Sequence, residues 1–368
     1  MRLTAVLAVA LVAGTTSTGR AIDPPTAASA VHEWGTFTSI AGVDGRPVQW
    51  TPLAGPSDLP CFVVRNRLET KGSLRGTVRM ETPVLYFYAE ADTRASVRVR
   101  FNGGAFTEWF PPASVTGTPM YAPNRSAITW AEVNVRPNLP AEFPVESGSS
   151  HYYRARDTDA SPLVSAGERE RFLFYRGVGT FPVPIAAIVA GDGSVLVSSP
   201  PGDPVGDVVL FENRGGAIAS EVQHLDASHA VLAPSAPLTG NTPPLEELEQ
   251  ILVAHGLFER EAHAMVETWR DSWFEEGARL IYIVPAALVD RVLPLEIAPA
   301  PDTVRRVFVG RLELITPATL KTVGDAVAAG DQDVLARFGR FLEPIVKQLG
   351  EKGVSIPWPS DHCPVTAS

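Results

Sequence analysis

Cysteine is nearly absent, with Cys61 and Cys363 the only two in 368 residues. No CxxC pair exists, so thiol oxidoreductase chemistry has no motif to act through. Long apolar runs are missing as well. LTAVLAVALVAG, after Arg2, is the longest, and it falls well short of the eighteen or so residues that a membrane span needs. Runs of lysine and arginine are lacking, and a formal net charge of -10 argues against nucleic acid and anionic membrane surfaces as partners. There is no GxSxG elbow, Walker A loop, strand-linked GxGxxG or EF-hand loop, which argues against α/β-hydrolases and nucleotide enzymes.

What is present begins with a leader. A basic residue, an apolar run and a polar stretch ending in small residues read as a secretory signal peptide, residues 1–21, cleaved after Ala21. Ala28-Ser29-Ala30 offers a second small-x-small site. Neither cut leaves His32 first in the chain, since that would place Val31 at the cleavage position, so a copper site built on an N-terminal histidine is set aside. The expected location is periplasmic or extracellular. In that oxidising space a Cys61–Cys363 disulfide is expected, with a metal site at Asp361, His362 and Cys363, or two free thiols, as the alternatives. So long a loop would contribute on the order of 5 kcal/mol in the chain-entropy picture, less whatever strain and residual unfolded structure take back.

About 345 residues remain after cleavage, more than one core holds comfortably, so two domains are expected. With 45% hydrophobic and 20% charged residues the composition is globular, and 33 prolines and 30 glycines indicate many turns. Residues 22–240 read as an antiparallel β-sandwich-like domain. Four hairpins carry turn chemistry: TFTSIAG-VDGRPVQW, SVRVRF-NGG-AFTEWF, PIAAIVA-GDG-SVLVSS and DVVLFE-NRGG-AIASEV. Further strands are expected at 80–89, 128–135, 151–157 and 169–177. The Pro- and Gly-rich stretch from Pro111 to Ser150 reads as a binding loop or lid around one strand.

After Asn241 the period changes, and residues 241–350 read as an α+β domain followed by a tail, 351–368. Thr242-Pro243 opens a helix that Gly256 stops, and a second helix runs from Glu259 to Glu276 with Ala262, Met265, Val266, Trp269 and Trp273 on one face. Strands follow at 279–285 and 305–316. A last helical pair starts at Thr316-Pro317 and at Asp331, with Pro344 kinking or ending its final helix. The fold class expected is α+β, a sandwich joined to helical hairpins and a few strands.

VHEWGTFTS, RMETPVLYFY, ERFLFYRGVG and EAHAMVETWRDSWFEEGARLIYIVP followed by VGRLELITP resemble a group of exported bacterial proteins of no assigned activity. The resemblance spans nearly all of the chain after the leader. It implies a shared fold and export, and it brings no catalytic residues.

Candidate residues therefore come from pattern alone. In a strand, Val31, Glu33, Gly35 and Phe37 share one face and His32, Trp34, Thr36 and Thr38 the other, so a polar group must lie in apolar company on each. Such a carboxylate can act as an acid near neutral pH, though a hydrogen-bonded strand residue is the commoner outcome. Glu81 opens an apolar strand with Pro83, Leu85 and Phe87 on its own side. Glu33 and Glu81 would suit a glycosidase-type pair if the fold set them together. The stretch 149–163 gathers His151, Arg154, Arg156, Asp157 and Asp159. Its arginines, with Arg176, suit a carboxylate, sulfate or phosphate, and its histidine with either aspartate suits a metal or a general-base pair, whereas an edge strand with salt bridges would look the same. A divalent metal, if bound, would draw on His32, His151, Asp157 and Asp159. His255, Glu259, His263 and Glu267 follow one another at i+4, which reads better as a solvated helix face than as a metal row.

Two functions of different class stay open. One is an exported hydrolase or lyase acting on a carbohydrate or other polar polymer through His32, Glu33, Glu81, His151 and Asp157, with Trp34, Arg154, Arg156 and Arg176 binding substrate. The other is a non-catalytic ligand-binding or cell-envelope protein. A pocket gathering His32, Glu33, His151 and Asp157 would favour the first, and scattering of those residues the second.

Overall fold

The run AVHEWGTFTSI sets one ionisable residue, His32 or Glu33, among apolar and small ones on each side, and in the computed structural model it forms a strand buried on both faces, at the middle of a wide sheet. The structure describes residues 28–53, 58–66, 74–117, 125–147, 150–199, 205–225, 229–232, 243–350 and 363. Residues 1–27, where the leader is expected, the tail apart from Cys363 and so Asp361 and His362, and residues 118–124 and 148–149 of the Pro111–Ser150 stretch lie outside them.

The strands in chain order are β1 (Ala30–Ile40), β2 (Val64–Arg65), β3 (Val78–Tyr88), β4 (Thr93–Asn102), β5 (Gly104–Phe110), β6 (Ser114–Thr116), β7 (Arg125–Val135), β8 (Leu163–Ser165), β9 (Glu168–Glu170), β10 (Phe172–Gly179), β11 (Ala186–Val189), β12 (Val195–Ser198), β13 (Asp207–Arg214), β14 (Ala217–His224) and β15 (His229–Leu232). Next come α1 (Leu245–Ala254), α2 (Glu259–Trp273), β16 (Gly277–Ile283), α3 (Ala286–Val292), β17 (Leu295–Ala298), β18 (Thr303–Leu314), α4 (Pro317–Ala329), α5 (Gln332–Arg337) and α6 (Leu342–Leu349).

Nine strands make one sheet in the order β14-β13-β16-β18-β1-β3-β10-β5-β2, and the described residues also form a six-stranded and a three-stranded sheet. The sandwich core lies between the large sheet and the smaller two, with Val31, Phe37, Leu85, Phe87, Val97, Ile128 and Val197 among its members. Helices cover the opposite face of the large sheet. The α1–α2 hairpin lays Leu252, Met265, Trp269 and Trp273 over Trp34, Val84 and Phe174, while α4–α6 form a separate cluster with Ile40 and Trp50. The fold is α+β with a sandwich, as expected. The division at residue 240, however, runs through a shared sheet, because β1 pairs in parallel with β18 over eleven residues and β13 pairs with β16.

Local signals explain most elements. Gly215 and Gly216 take φ of 60° and 89° at the β13–β14 hairpin, the positive values its tight turn demands. The GDG turn likewise joins β11 to β12. Thr316 and Asp331 cap α4 and α5 through their side chains, with Pro317 at the first helical position. Pro344 sits in the first turn of α6, so it starts a helix rather than kinking one. α2 stops at Trp273, three residues before the expected Glu276, because buried Arg279 takes the freed carbonyls: its Nη1 donates to Trp273 O at 2.7 Å and Glu275 O at 2.8 Å, its Nη2 to Glu276 O at 2.8 Å.

Three expectations fail. The NGG turn does not close a hairpin: β4 lies in the six-stranded sheet and β5 in the nine-stranded one, and the chain changes sheets at Gly103. The TFTSIAG-VDGRPVQW segment makes isolated bridges, Ala41 to Pro47 and Trp50 to Gly76, instead of a ladder. HYYRARD is a 3-10 helix over His151–Arg156, capped by Ser150, with Tyr152 and Ala155 buried three residues apart. Among the described residues no helix is long and apolar enough to cross a membrane. Cys61 and Cys363 form the expected disulfide, Cα atoms 5.3 Å apart.

Candidate functional site

Charged residues recur on the helix side of the large sheet, in register across six neighbouring strands. Arg279 of β16 stands opposite Glu313 of β18, Arg311 of β18 opposite Thr38 of β1, Thr38 and Thr36 opposite Arg79 and Glu81 of β3, and Arg176 of β10 opposite Glu108 of β5. All nine side chains belong to buried residues. This polar belt runs beneath the seam between the two helical units. From one unit, Ser272 and Glu275 at the end of α2 reach Arg311 at 2.8 and 2.7 Å. From the other, Arg340, between α5 and α6, places Nη2 2.9 Å from Glu81 Oε1. Arg79 Nε lies 3.2 Å from the same oxygen. Asp58 closes the far end, receiving Arg176 through two bonds of 2.6 and 2.9 Å.

The belt exists because the strands slip. Between its β1 pairs Trp34–Val84 and Thr36–Glu81, β3 spends one residue more than its partner, and the same excess appears against β10. The bulge falls at Thr82 and Pro83, where buried Thr82 holds φ at 46°, a strained value for a β-branched residue. Gly35 is the counterpart on β1, for a Cβ there would come within 3.0 Å of Pro83 and 2.9 Å of Phe308. The bulge exchanges faces. Leu85 and Phe87 point into the sandwich, as do Val78 and Met80, while Arg79 and Glu81 turn to the helices. Glu81 therefore does not share the face of Leu85 and Phe87 as strict alternation requires.

Charge balance sets the electrostatics. Burial pushes the Glu81 carboxyl up, but Arg340 and Arg79, with Arg311 and Arg176 behind them, outweigh it and hold the group below its ordinary value. Asp58 is held well below the usual carboxylate range in the same way, burial being overcome by Arg176. Both are anions at neutral pH. Several belt atoms nevertheless lack a hydrogen-bond partner among the described residues: Thr36 Oγ1, Thr38 Oγ1, Arg176 Nε, Arg340 Nε and Glu81 Oε2. Arg340 is 19% exposed and Asp58 33%, so the belt reaches solvent at its rim.

The other sequence candidates are dispersed. Glu33 is fully buried on the sandwich side, where it accepts from Tyr175 and, at 2.6 Å, from Arg306 Nε. It and Glu81 therefore lie on opposite faces of one sheet and form no acid–base pair. His32 Nδ1 is 2.7 Å from Glu261 Oε2, and Glu261 also accepts from Tyr88 Oη at 2.7 Å and from the Phe258 backbone N–H at 2.8 Å. That cluster fastens the start of α2 to the sheet. Trp34 is core. His151 is half-buried and Arg154 exposed. Arg156 turns inward onto Glu170 at 2.6 Å instead of presenting a fork to solvent, and Asp157 and Asp159 receive Arg260 of α2. Among the described residues, no three His, Cys, Asp or Glu are grouped to hold a metal ion. On α2 the i+4 row is a solvated face: His263 meets Glu249 at 2.9 Å and Glu267 meets Arg270.

Of the belt, only Glu81 and Arg176 were singled out from sequence. Arg79, Arg311, Glu313, Arg279, Asp58 and Arg340 were not. A signal existed in RMETP and GRLELI, where opposite charges stand two apart inside apolar strands and must share a buried face. Comparison of the chain with protein-family models and with curated proteins gives no match.

Proposed function

We propose that this exported protein binds a saccharide or similar hydroxyl-rich ligand at the polar belt, and that binding rather than turnover is its primary activity. One observation carries the reading: buried donors on Thr36, Thr38, Arg176 and Arg340 stand without partners beside a carboxylate oxygen of Glu81 that is also unpartnered. A polyol offers acceptors to the first set and a donor to the second, and buried polar atoms are rarely left unmatched in a working protein. Arginine forks next to such hydroxyls also suit the carboxylate of an acidic sugar. The seam between two packed helical units is where ligand sites tend to form.

A second reading, the hydrolase or lyase, draws support from Thr82 alone, since a strained buried residue beside an ionised carboxylate is a feature of reactive sites. Isothermal titration of the disulfide-bonded chain with neutral and uronate oligosaccharides tests the first reading. Saturable binding that Arg340→Gln weakens at least ~10-fold is the expected result. No binding of any sugar at 10 mM, or binding indifferent to Arg340→Gln, would overturn it. Release of new reducing ends from the bound sugar, abolished by Glu81→Gln, would establish the second.

A further inference from the structure

The crosslink between Cys61 and Cys363 carries opposite charges beside its two ends. At Cys363, Arg65 Nη2 donates to the sulfur at 2.9 Å and to the Leu59 carbonyl at 3.1 Å, one bond for each of its hydrogens. The strand holds the guanidinium in place, since β2 pairs with β5 and sets Arg65 opposite Glu108. At Cys61 the neighbouring charge has the other sign. Glu146 accepts the Cys61 backbone N–H at 2.8 Å through Oε2 and that of Phe62 at 3.1 Å through Oε1, which fixes a carboxylate beside this half of the cystine. Phe62 packs on the rings of Phe110 and Tyr152, so the backbone that Glu146 grips is anchored to the core.

Thiol–disulfide exchange is sensitive to such an asymmetry. An incoming thiolate attacks one sulfur and the electron pair of the broken bond leaves on the other, so the sulfur whose thiolate is better stabilised departs. A guanidinium hydrogen bond stabilises a thiolate, and a carboxylate nearby does the opposite. Both cysteines are half-buried rather than sealed in the core, where cysteines are inert.

We propose that this disulfide is a directed thiolation site for small thiols such as glutathione, with Cys61 the residue modified and Cys363 the leaving group. The sulfur of the small thiolate bonds to Cys61 Sγ, the Cys61–Cys363 bond breaks, and its electron pair stays on Cys363 Sγ beside Arg65. This step is an exchange without net oxidation or reduction. Return attack by the Cys363 thiolate on Cys61 Sγ expels the small thiol and restores the crosslink, whereas a second small thiolate attacking the first one's sulfur frees Cys61 and leaves as the small disulfide. The crosslink is therefore reversible, and it opens in one direction. The proposal does not rest on the saccharide reading.

The test is exchange of the full disulfide-bonded chain with glutathione at pH 7.5, stopped with acid, alkylated with N-ethylmaleimide at pH 5 and mapped by peptide mass spectrometry. The expected pattern is glutathione on Cys61 with maleimide on Cys363, in at least ~5-fold excess over the reverse. That ratio needs no variant. Arg65→Gln slows the exchange and lowers the excess, Arg65→Lys retains most of it, and Glu146→Gln raises it by removing the charge that opposes a thiolate at Cys61 only if that charge is neutral to the leaving sulfur, so the share of glutathione on Cys363 is the quantity compared. In 8 M urea the wild-type preference disappears. Equal labelling of the two cysteines, a preference for Cys363, a ratio indifferent to Arg65→Gln, a preference that persists in urea, or no adduct at 10 mM glutathione would each overturn the proposal.

Discussion

Glu81→Gln removes one negative charge from the centre of the belt while keeping its shape. The side chain is fully buried, with guanidinium nitrogens of Arg79 and Arg340 at 3.2 and 2.9 Å. Gln leaves both cations without their counter-ion, and breaking a buried pair on one side costs about 3–5 kcal/mol. Against a total stability of roughly 5–15 kcal/mol, that is a large share. The pH dependence has a definite sign. The folded-state value of Glu81 is lowered from 4.5, so its contribution is complete above about pH 4.5 and is lost as pH falls through the folded value. Urea unfolding followed by tryptophan fluorescence at pH 7.0, 5.5, 4.5 and 3.5 reads this directly. The wild type should exceed the variant by about 3–5 kcal/mol at the two higher pH values, and the gap should narrow at the lowest. A gap under about 1 kcal/mol at pH 7, or one that widens on acidification, would refute the belt as a coupled ionic unit.

Other substitutions test separate parts of the reasoning. Ala166 holds φ at 50° in the exposed turn between β8 and β9, so Ala166→Gly should raise the urea midpoint, by up to about 1 kcal/mol in stability. At Gly310 an added Cβ would fall 2.0 Å from the Tyr282 ring carbon Cζ, and Gly310→Ala should cost about 3 kcal/mol or more, seen as a lowered melting temperature or insoluble protein. Cys363→Ser removes a crosslink between residues 302 apart, and should lose about 2–5 kcal/mol in denaturant titration, an effect that reducing agent reproduces in the wild type but not in the variant.

Sheet content, the caps of α4 and α5, the two glycine hairpins and the two faces of β1 were all legible, because each rests on a few adjacent residues. Pairing across the chain was not. β1 lies beside β18, some 270 residues away, and nothing local in VHEWGTFTS or RRVFVGRLEL marks them as neighbours, so the boundary at residue 240 was drawn through their common sheet. The 149–163 segment misled for a related reason. Alternating tyrosines and arginines fit a strand of period two, but His151–Arg156 winds as a 3-10 helix of period three, which sends Tyr152 and Ala155 inward and Arg156 onto Glu170. Its charges hold the segment to α2 and to Glu170.

The belt escaped notice because the bulge in β3 hides it, and that dependence is itself testable. Counting back from Leu85 by twos places Glu81 in the sandwich and Met80 under the helices. The extra residue at Thr82–Pro83 reverses both. Deleting Thr82 restores strict alternation, and would drive Arg79 and Glu81 among Phe37, Phe106 and Val99 while lifting Val78 and Met80 against Arg340. There they would keep each other but lose Arg340 and the Pro52 carbonyl, and an ion pair with no further hydrogen bonds in an apolar core costs several kcal/mol, a large share of the stability of the fold. Thr82→Gly, by contrast, keeps the residue count and admits the positive φ, so it should fold. Circular dichroism and gel filtration of the two variants separate the cases. A folded deletion variant with wild-type spectra would show that the register of β3, and with it the face Glu81 occupies, is not set by the bulge.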